Sequence, residues 1–428
     1  MNSKVSTSFS LPRVAQSGGG SGHIVYLVES VLDRRDYQRF GLDFMVERGY
    51  QVTVLEVADL AMPTVPKDRR HYADFGNVEI LQIRSLQELN DTRNVLAKAR
   101  FIINNCGLTE RTVPVYSLLS RIETPYLVSY DNAVPRETMS NSAQEGLSSL
   151  AVYVTWRLRQ NGVMVSAGQR LRALLPSGSR MKPADFSVFG GRRSVRTVFP
   201  VGENTTPIWA HAKDYDLYME AADKGHETRN VAVFIDEYLP YHRDLAVCGN
   251  SPPMGGAEYY SLLCRLFDRV EADLGLRVVI AACPRADYRD KPGLFGDREI
   301  GYFQTADLVA SSRLVIGHRS TAINYAILFH KPVLLITTRA MLKSHHRPYL
   351  NGWARALGRR LEFFDDPARI NLTDALEVDP AAYATFIEDY IKTAQSPSAP
   401  FWDVVLSAIE ADRRVTGMVG TKGGGIGC

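Results

Sequence analysis

A chain of 428 residues is too long for one ordinary core and fits two domains of roughly 150–200 residues each. With 45% hydrophobic and 23% charged residues it is globular, which excludes disordered and fibrous architectures. A formal net charge of +3 gives no basic stripe or tail for nucleic acid, and the pairs Arg69-Arg70, Arg192-Arg193 and Arg359-Arg360 are expected to be solvated faces.

Residues 1–21 are polar, end in a Gly-Ser run and are expected to be a flexible extension. They lack the basic-then-apolar order of a signal peptide. From there the elements alternate. His23–Val28 is a buried-strand run, Asp36–Arg48 a helix stopped by Gly49, and Gln51–Val57 a second strand, which together read as a βαβ unit. Strands are predicted at Val78–Ile83, Arg100–Asn104 and Pro125–Ser129, with helices at Leu86–Ala99 and Val113–Arg121 between them. An apolar-rich helix over Gly146–Arg159 and a strand over Val195–Gly202 are also expected. The helical segment His211–Ala222 then closes a first domain spanning residues 22–222.

A second domain, residues 230–395, starts with the strand Asn230–Asp236 and continues with the helix Gly256–Leu274 and the strand Arg277–Ala282. The helix Thr305–Ser311, strand Arg313–Gly317, helix Thr321–His330 and strand Pro332–Thr337 follow. Helices near Pro380–Ala394 and Pro400–Arg414 end the chain, with residues 396–416 as a terminal helix and 417–428 as a flexible tail. The pattern implies two doubly wound, Rossmann-like α/β domains facing a cleft. No repeat of ~20–50 residues is present, and no apolar run reaches the ~18–20 residues of a membrane span. The five cysteines show no metal spacing and imply a reducing, cytoplasmic setting, with Cys106 and Cys264 as core residues.

No G-x-G-x-x-G follows either first strand, and P-loop, G-x-S-x-G and H-E-x-x-H motifs are absent. What remains is a set of polar residues at strand ends. Asp236 closes an apolar strand, where a carboxylate serves either as a general base or as a loop cap; His242 follows in the same loop. After the next strand come Cys283, Pro284 and Arg285, the last an anion binder or the partner of a nearby aspartate. The turn His318-Arg319-Ser320-Thr321 joins a strand to a helix, so its hydroxyls and amides suit phosphate, or simply cap the helix. In the first half, Glu29, Asn105 and Asp131 are strand-end candidates for binding an acceptor sugar.

Asp236-Glu237, Cys283-Pro284-Arg285, Arg319-Ser320-Thr321 and the start Lys331-Pro332-Val333 resemble the donor-binding half of GT-B-type glycosyltransferases. The likeness is to bacterial sialyltransferase-like and Kdo-transferase-like enzymes of surface polysaccharide synthesis, and it covers about residues 230–340. It implies a transferase without a cofactor, using a nucleotide sugar as substrate: a CMP-linked acidic sugar first, then a UDP- or GDP-sugar. No persuasive DxD metal site is present, so the enzyme is expected to be metal-independent. Asp236 would be base or nucleophile, and Ser320 and Thr321 would hold the donor phosphate. The acceptor would be a glycan or a lipid-linked sugar, compatible with peripheral contact with the inner membrane. A nucleotide-sugar epimerase of the same fold is an alternative, and Cys283, standing where the family carries histidine, keeps a non-catalytic binding protein as another.

Overall fold

The computed structural model describes residues 22–63, 65, 67, 69, 75–137, 181–242, 245, 250–284, 286, 288 and 291–416. The expected tails 1–21 and 417–428 and the expected helix at 146–159 lie outside them. The first sheet contains β1 (Gly22–Val28), β2 (Tyr50–Glu56), β3 (Val78–Gln82), β4 (Phe101–Asn104), β5 (Tyr126–Tyr130), β6 (Phe186–Phe189) and β7 (Thr206–Trp209). Every pairing in it is parallel and the order is β3-β2-β1-β4-β5-β6-β7. The second sheet draws on β8 (Val231–Ile235), β9 (Arg277–Ala281), β11 (Ile300–Gly301), β12 (Leu314–Gly317), β13 (Val333–Thr337) and β14 (Glu362–Phe363). It is also parallel, in the order β11-β9-β8-β12-β13-β14. The short β10 (Leu294–Asp297) lies against the helix Gly256–Leu274.

This is a two-domain, Rossmann-like α/β fold, and each sheet reverses its winding at one place. In the first the reversal falls between β1 and β4, in the second between β8 and β12. At such a point the crossovers leave opposite faces of the sheet, so a crevice opens beyond the strand carboxyl ends. The central strands are largely apolar because helices cover both faces: every residue of β8 is buried.

Several boundaries differ from expectation, each for a tertiary reason. The helix expected over Asp36–Arg48 is two short helices, Arg34–Arg39 and Leu42–Glu47, broken at Gly41 with φ +67°. A Cβ on Gly41 would lie 2.3 Å from the Trp402 ring, so the break makes room for the terminal helix Phe401–Glu410. That helix buries Phe401, Val405, Leu406 and Ile409 against the first sheet, each worth about 1.5–3 kcal/mol. The helix Phe401–Glu410 thus follows the second domain in sequence but packs on the first. The strand expected at Val195–Gly202 is irregular, with Val195 and Val198 41% and 68% exposed; the sheet positions are taken by β6 and β7. The segment His211–Ala222 is helical from Asp214 to Lys224 and packs on the second domain's helices.

Each of the three arginine pairs is more than a solvated face, Arg359 donating to the Asp374 and Glu377 carbonyls. Arg192 and Arg193 both reach Asp389 of the second domain, and Arg69 bridges Glu56 and Asp59. Gly190 and Gly191 press on the backbone of Asp389–Ile391 at this seam. A second clamp sets the Glu137 carboxylate on Asn351 and Arg355 of the helix Arg347–Ala356. Among the described residues no helix is long and apolar enough to cross a membrane.

Candidate functional site

The reversal point of the second sheet is where β8 and β12 end, and it holds Asp236, Glu237 and the turn His318–Thr321. Asp236 follows the apolar run of β8 and is 4% exposed. Its Oδ2 accepts the Tyr288 hydroxyl, which in turn accepts the Cys283 amide at 3.1 Å. Oδ1 is buried without a hydrogen-bond partner. Burial raises the carboxyl from 3.8 to about 6. Asp236 thus joins the loops after β8 and β9 beneath a lid of tyrosine. Tyr238 holds a left-handed backbone at φ +49° there, and its ring packs on Tyr241 and Tyr288. A bulky residue in that conformation costs roughly 1–3 kcal/mol and tends to occur at functional turns.

Glu237 spans the crevice. Its Oε1 accepts the Arg319 amide at 2.7 Å, and Oε2 lies 3.7 Å from the Arg319 guanidinium. The turn is therefore latched to the loop after β8. The Ser320 hydroxyl accepts the Ala322 amide at 3.2 Å and keeps its own proton for donation. Ser320 and Thr321 are half-buried and precede the helix Ile323–Leu328. His318 is different in kind. It is fully buried, with Nδ1 2.8 Å from the Ile336 carbonyl and Nε2 2.7 Å from the Tyr259 hydroxyl. Burial lowers its basicity, the carbonyl fixes the proton on Nδ1, and no ring nitrogen remains for a phosphate.

Cys283 is buried and Pro284 exposed at the end of β9, while Arg285 lies outside the described residues. His242 ends the turn Leu239–Tyr241 and is half-buried. It belongs to a cluster that the sequence did not reveal: His242, His345, His346 and Arg319 are close enough to act on one another electrostatically. Tyr302 and Phe303, 46% and 76% exposed, stand beyond β11 on the same edge, with the Tyr302 ring 6.0 Å from Tyr288. Among the described residues no group of three or more His, Cys, Asp or Glu side chains is placed to hold a metal.

The reversal point of the first sheet holds Glu29 after β1 and Asn105 after β4. Glu29 is half-buried, accepts the Gly107 amide at 3.0 Å, and has its carboxyl raised by burial. The Asn105 side-chain nitrogen is buried without a partner, as are Oδ2 of Asp131 and Oδ1 of Asn132 after β5. Asp131 also receives Ser129 and, at 3.1 Å, the Lys213 ammonium. Burial alone would raise its carboxyl, but Lys213 and Arg39 more than offset this and hold it low. Asp214 accepts Asn324 at 3.2 Å from the second domain, so polar groups of both domains meet here.

No protein-family model matches the sequence, and no curated protein does. Solved structures do match. The chain is similar to CalG4, described as the calicheamicin glycosyltransferase, at 13% identity over 94% of this chain and 100% of that one, with a TM-score of 0.51. The fold is of the GT-B type. Two further similarities fall lower. MurG of Acinetobacter baumannii gives 10% identity, 90% and 99% coverage and a TM-score of 0.48. A variant of the wall teichoic acid polymerase TagF gives 11%, 93% and 90%, and 0.48. At these identities the likeness speaks for architecture alone.

Proposed function

We propose that this chain is a glycosyltransferase that binds a nucleotide-activated sugar at the second-domain reversal point and an acceptor hydroxyl at the first. The observation that carries the reading is the coincidence of chemistry with topology. The Glu237–Arg319 latch and the Ser320-Thr321 turn occupy the crevice where an open α/β sheet takes its ligand, and Glu29 and Asn105 occupy the equivalent place in the other sheet. CMP-, UDP- and GDP-linked donors all fit this reading, as do a glycan and a lipid-linked acceptor.

In this scheme the Ser320 and Thr321 hydroxyls and the amides of their turn stabilise charge on the leaving phosphate. No divalent metal and no cofactor takes part; the lack of a persuasive DxD metal site in the sequence supports that choice. The base needs access to the acceptor. Asp236, expected in that role, is sealed beneath Tyr288, so we assign proton removal to Glu29, which is more exposed and has a raised carboxyl. Asp236 then positions the loops after β8 and β9 through Tyr288.

The test is nucleotide binding and transfer by the full chain. CMP, UDP and GDP are screened by thermal shift, where a ligand at 100 times its Kd stabilises by about 2.7 kcal/mol. Ser320→Ala should weaken binding of the nucleotide that responds. Glu29→Gln should leave that binding intact and remove transfer from the matching sugar nucleotide to a glycan panel. No response to any nucleotide would overturn the reading.

A further inference from the structure

Two described stretches of chain cross between the domains, and a buried histidine joins them. The first leaves β7 through residues 210–213 and enters the helix Asp214–Lys224, which packs on the second domain. The second returns from the helical turn Ile387–Ile391 through residues 392–400 to the helix Phe401–Glu410 on the first sheet. They run side by side. The Ala212 amide donates to the Ile391 carbonyl at 2.7 Å, and the Phe401 amide to Asp216 Oδ1 at 2.9 Å.

His211 lies between them and is 0% exposed. Its Nδ1 is 3.0 Å from the Ala212 carbonyl oxygen on its own crossing, and its Nε2 is 2.9 Å from the Ala399 carbonyl oxygen on the other. A carbonyl only accepts, so each contact is a hydrogen bond only where the nitrogen carries a hydrogen. The Ala212 oxygen takes the Tyr215 amide as well, which leaves one lone pair for the ring. A neutral imidazole has a single N–H. In either tautomer its bare nitrogen would face an oxygen at hydrogen-bond distance, in a place closed to solvent. The doubly protonated ring satisfies both carbonyls. Its counter-charge is present, since Asp216 Oδ1 lies 3.5 Å from Nε2. Burial raises the Asp216 carboxyl from 3.8 to about 6, with His211 opposing, so it is charged at pH 7. The Tyr215 and Phe401 rings pack on the imidazole at 4.9 and 5.9 Å between centroids. Lys213 and Glu220, of opposite sign, act on Asp216, and Lys392 of the returning crossing lies over the Tyr215 ring.

We propose that His211 is held as an imidazolium and acts as a clasp, donating one N–H to each crossing and so fixing how the two domains are joined. Loss of either proton sets a nitrogen against an oxygen and loosens both crossings. The clasp stands directly behind the contacts between the two crevices. Lys213 donates to Asp131 after β5 at 3.1 Å, and Asp214 accepts the Asn324 side chain at 3.2 Å from the helix that follows the Ser320-Thr321 turn. His211 is thus a positioning residue, because it sets the start of the helix that carries both contacts. The carbonyls do not titrate. The clasp therefore opens by loss of a ring proton, and protonation of Asp216 in acid leaves both hydrogen bonds in place.

The experiment is NMR of the full chain with isotope-labelled histidine, read as pH is raised from 5. His211 is assigned by its loss in His211→Gln or its shift in Asp216→Asn. Hydrogen–deuterium exchange of residues 210–216 and 392–401 is followed alongside, corrected for the intrinsic effect of pH. At pH 7 both His211 nitrogens should carry hydrogens. Where the ring loses one, exchange in the two crossings should rise about tenfold while β1 and β8 hold steady. Asp216→Asn removes the counter-charge but not the carbonyls, so that transition should move to lower pH. His211→Gln should exchange fast at every pH; if it fails to fold, the wild-type titration and Asp216→Asn decide. A single N–H at pH 7 overturns the proposal, as does proton loss without any change in exchange. Exchange that rises instead as pH falls below about 6 assigns the hold to the ion pair and overturns the clasp. No nucleotide or acceptor is needed, so the outcome is independent of the donor-site reading.

Discussion

Replacing Asp236 by asparagine should change stability in a pH-dependent way that can be worked out in advance. The carboxyl is buried, one oxygen has no partner, and burial raises it from 3.8 to about 6. A folded-state value above the unfolded one means that the folded protein binds the extra proton between those limits. Stability therefore rises as pH falls from about 6 toward 3.8 and is lowest above 6, where the buried group is charged. At about 1.36 kcal/mol per pH unit, the buried charge costs about 3 kcal/mol at pH 8. Asparagine removes that cost but leaves an amide hydrogen that the Tyr288 hydroxyl does not satisfy, returning about 1–2 kcal/mol. The net gain at pH 8 is about 1–2 kcal/mol, turning into a loss near pH 4. The assay is urea unfolding of wild type and Asp236→Asn at several pH values, reading the difference between the two proteins so that other titrating groups cancel. The reasoning is refuted if the difference is the same at pH 4 and pH 8, because a carboxyl that titrates alike in both states cannot be the buried one described here.

Four other substitutions test further parts of the structure. His346 is lowered to about 2 from 6.5, so below 6.5 the unfolded chain takes a proton that the fold refuses. Stability from this group should fall by about 1.4 kcal/mol per pH unit through that window, and His346→Gln should flatten the acid limb of a melting-temperature profile. Gly191→Ala places a Cβ 2.4 Å from the Asp389 carbonyl carbon and the Tyr390 nitrogen, backbone atoms that cannot rotate away. It should cost about 1–3 kcal/mol in chemical unfolding, while Gly76→Ala, with nothing within 4 Å, should cost little. Phe303, 76% exposed just after β11, offers a ring on which the base of the proposed nucleotide donor would stack. Phe303→Ala should weaken nucleotide binding by about 1–3 kcal/mol in a titration without altering the melting temperature.

The sheets were legible where strands are buried on both faces, because continuous apolar runs such as Ile24–Val28 and Val231–Ile235 are hard to mistake. Legibility failed where tertiary contacts decide. β6 and β7 have four residues each, too few to show a period, and the apolar content of Val195–Gly202 drew the strand to the wrong place. The break at Gly41 depends on Trp402 at the far end of the chain, and nothing local announces it.

The same division runs through the site. Strand ends expose Asp236, Ser320 and Thr321 to sequence reasoning, since topology alone carries them to the crevice. Histidines do not yield to that logic. His318 and His346 lie on the same sheet edge and are equally buried. One is satisfied by Tyr259 and the Ile336 carbonyl, groups from a helix and from a neighbouring strand. The other has no partner on either nitrogen. Position along the chain singled out His318, which has nothing left to bind with, and passed over His346. A buried polar group becomes a site candidate through what its neighbours leave undone, and only the folded chain displays that.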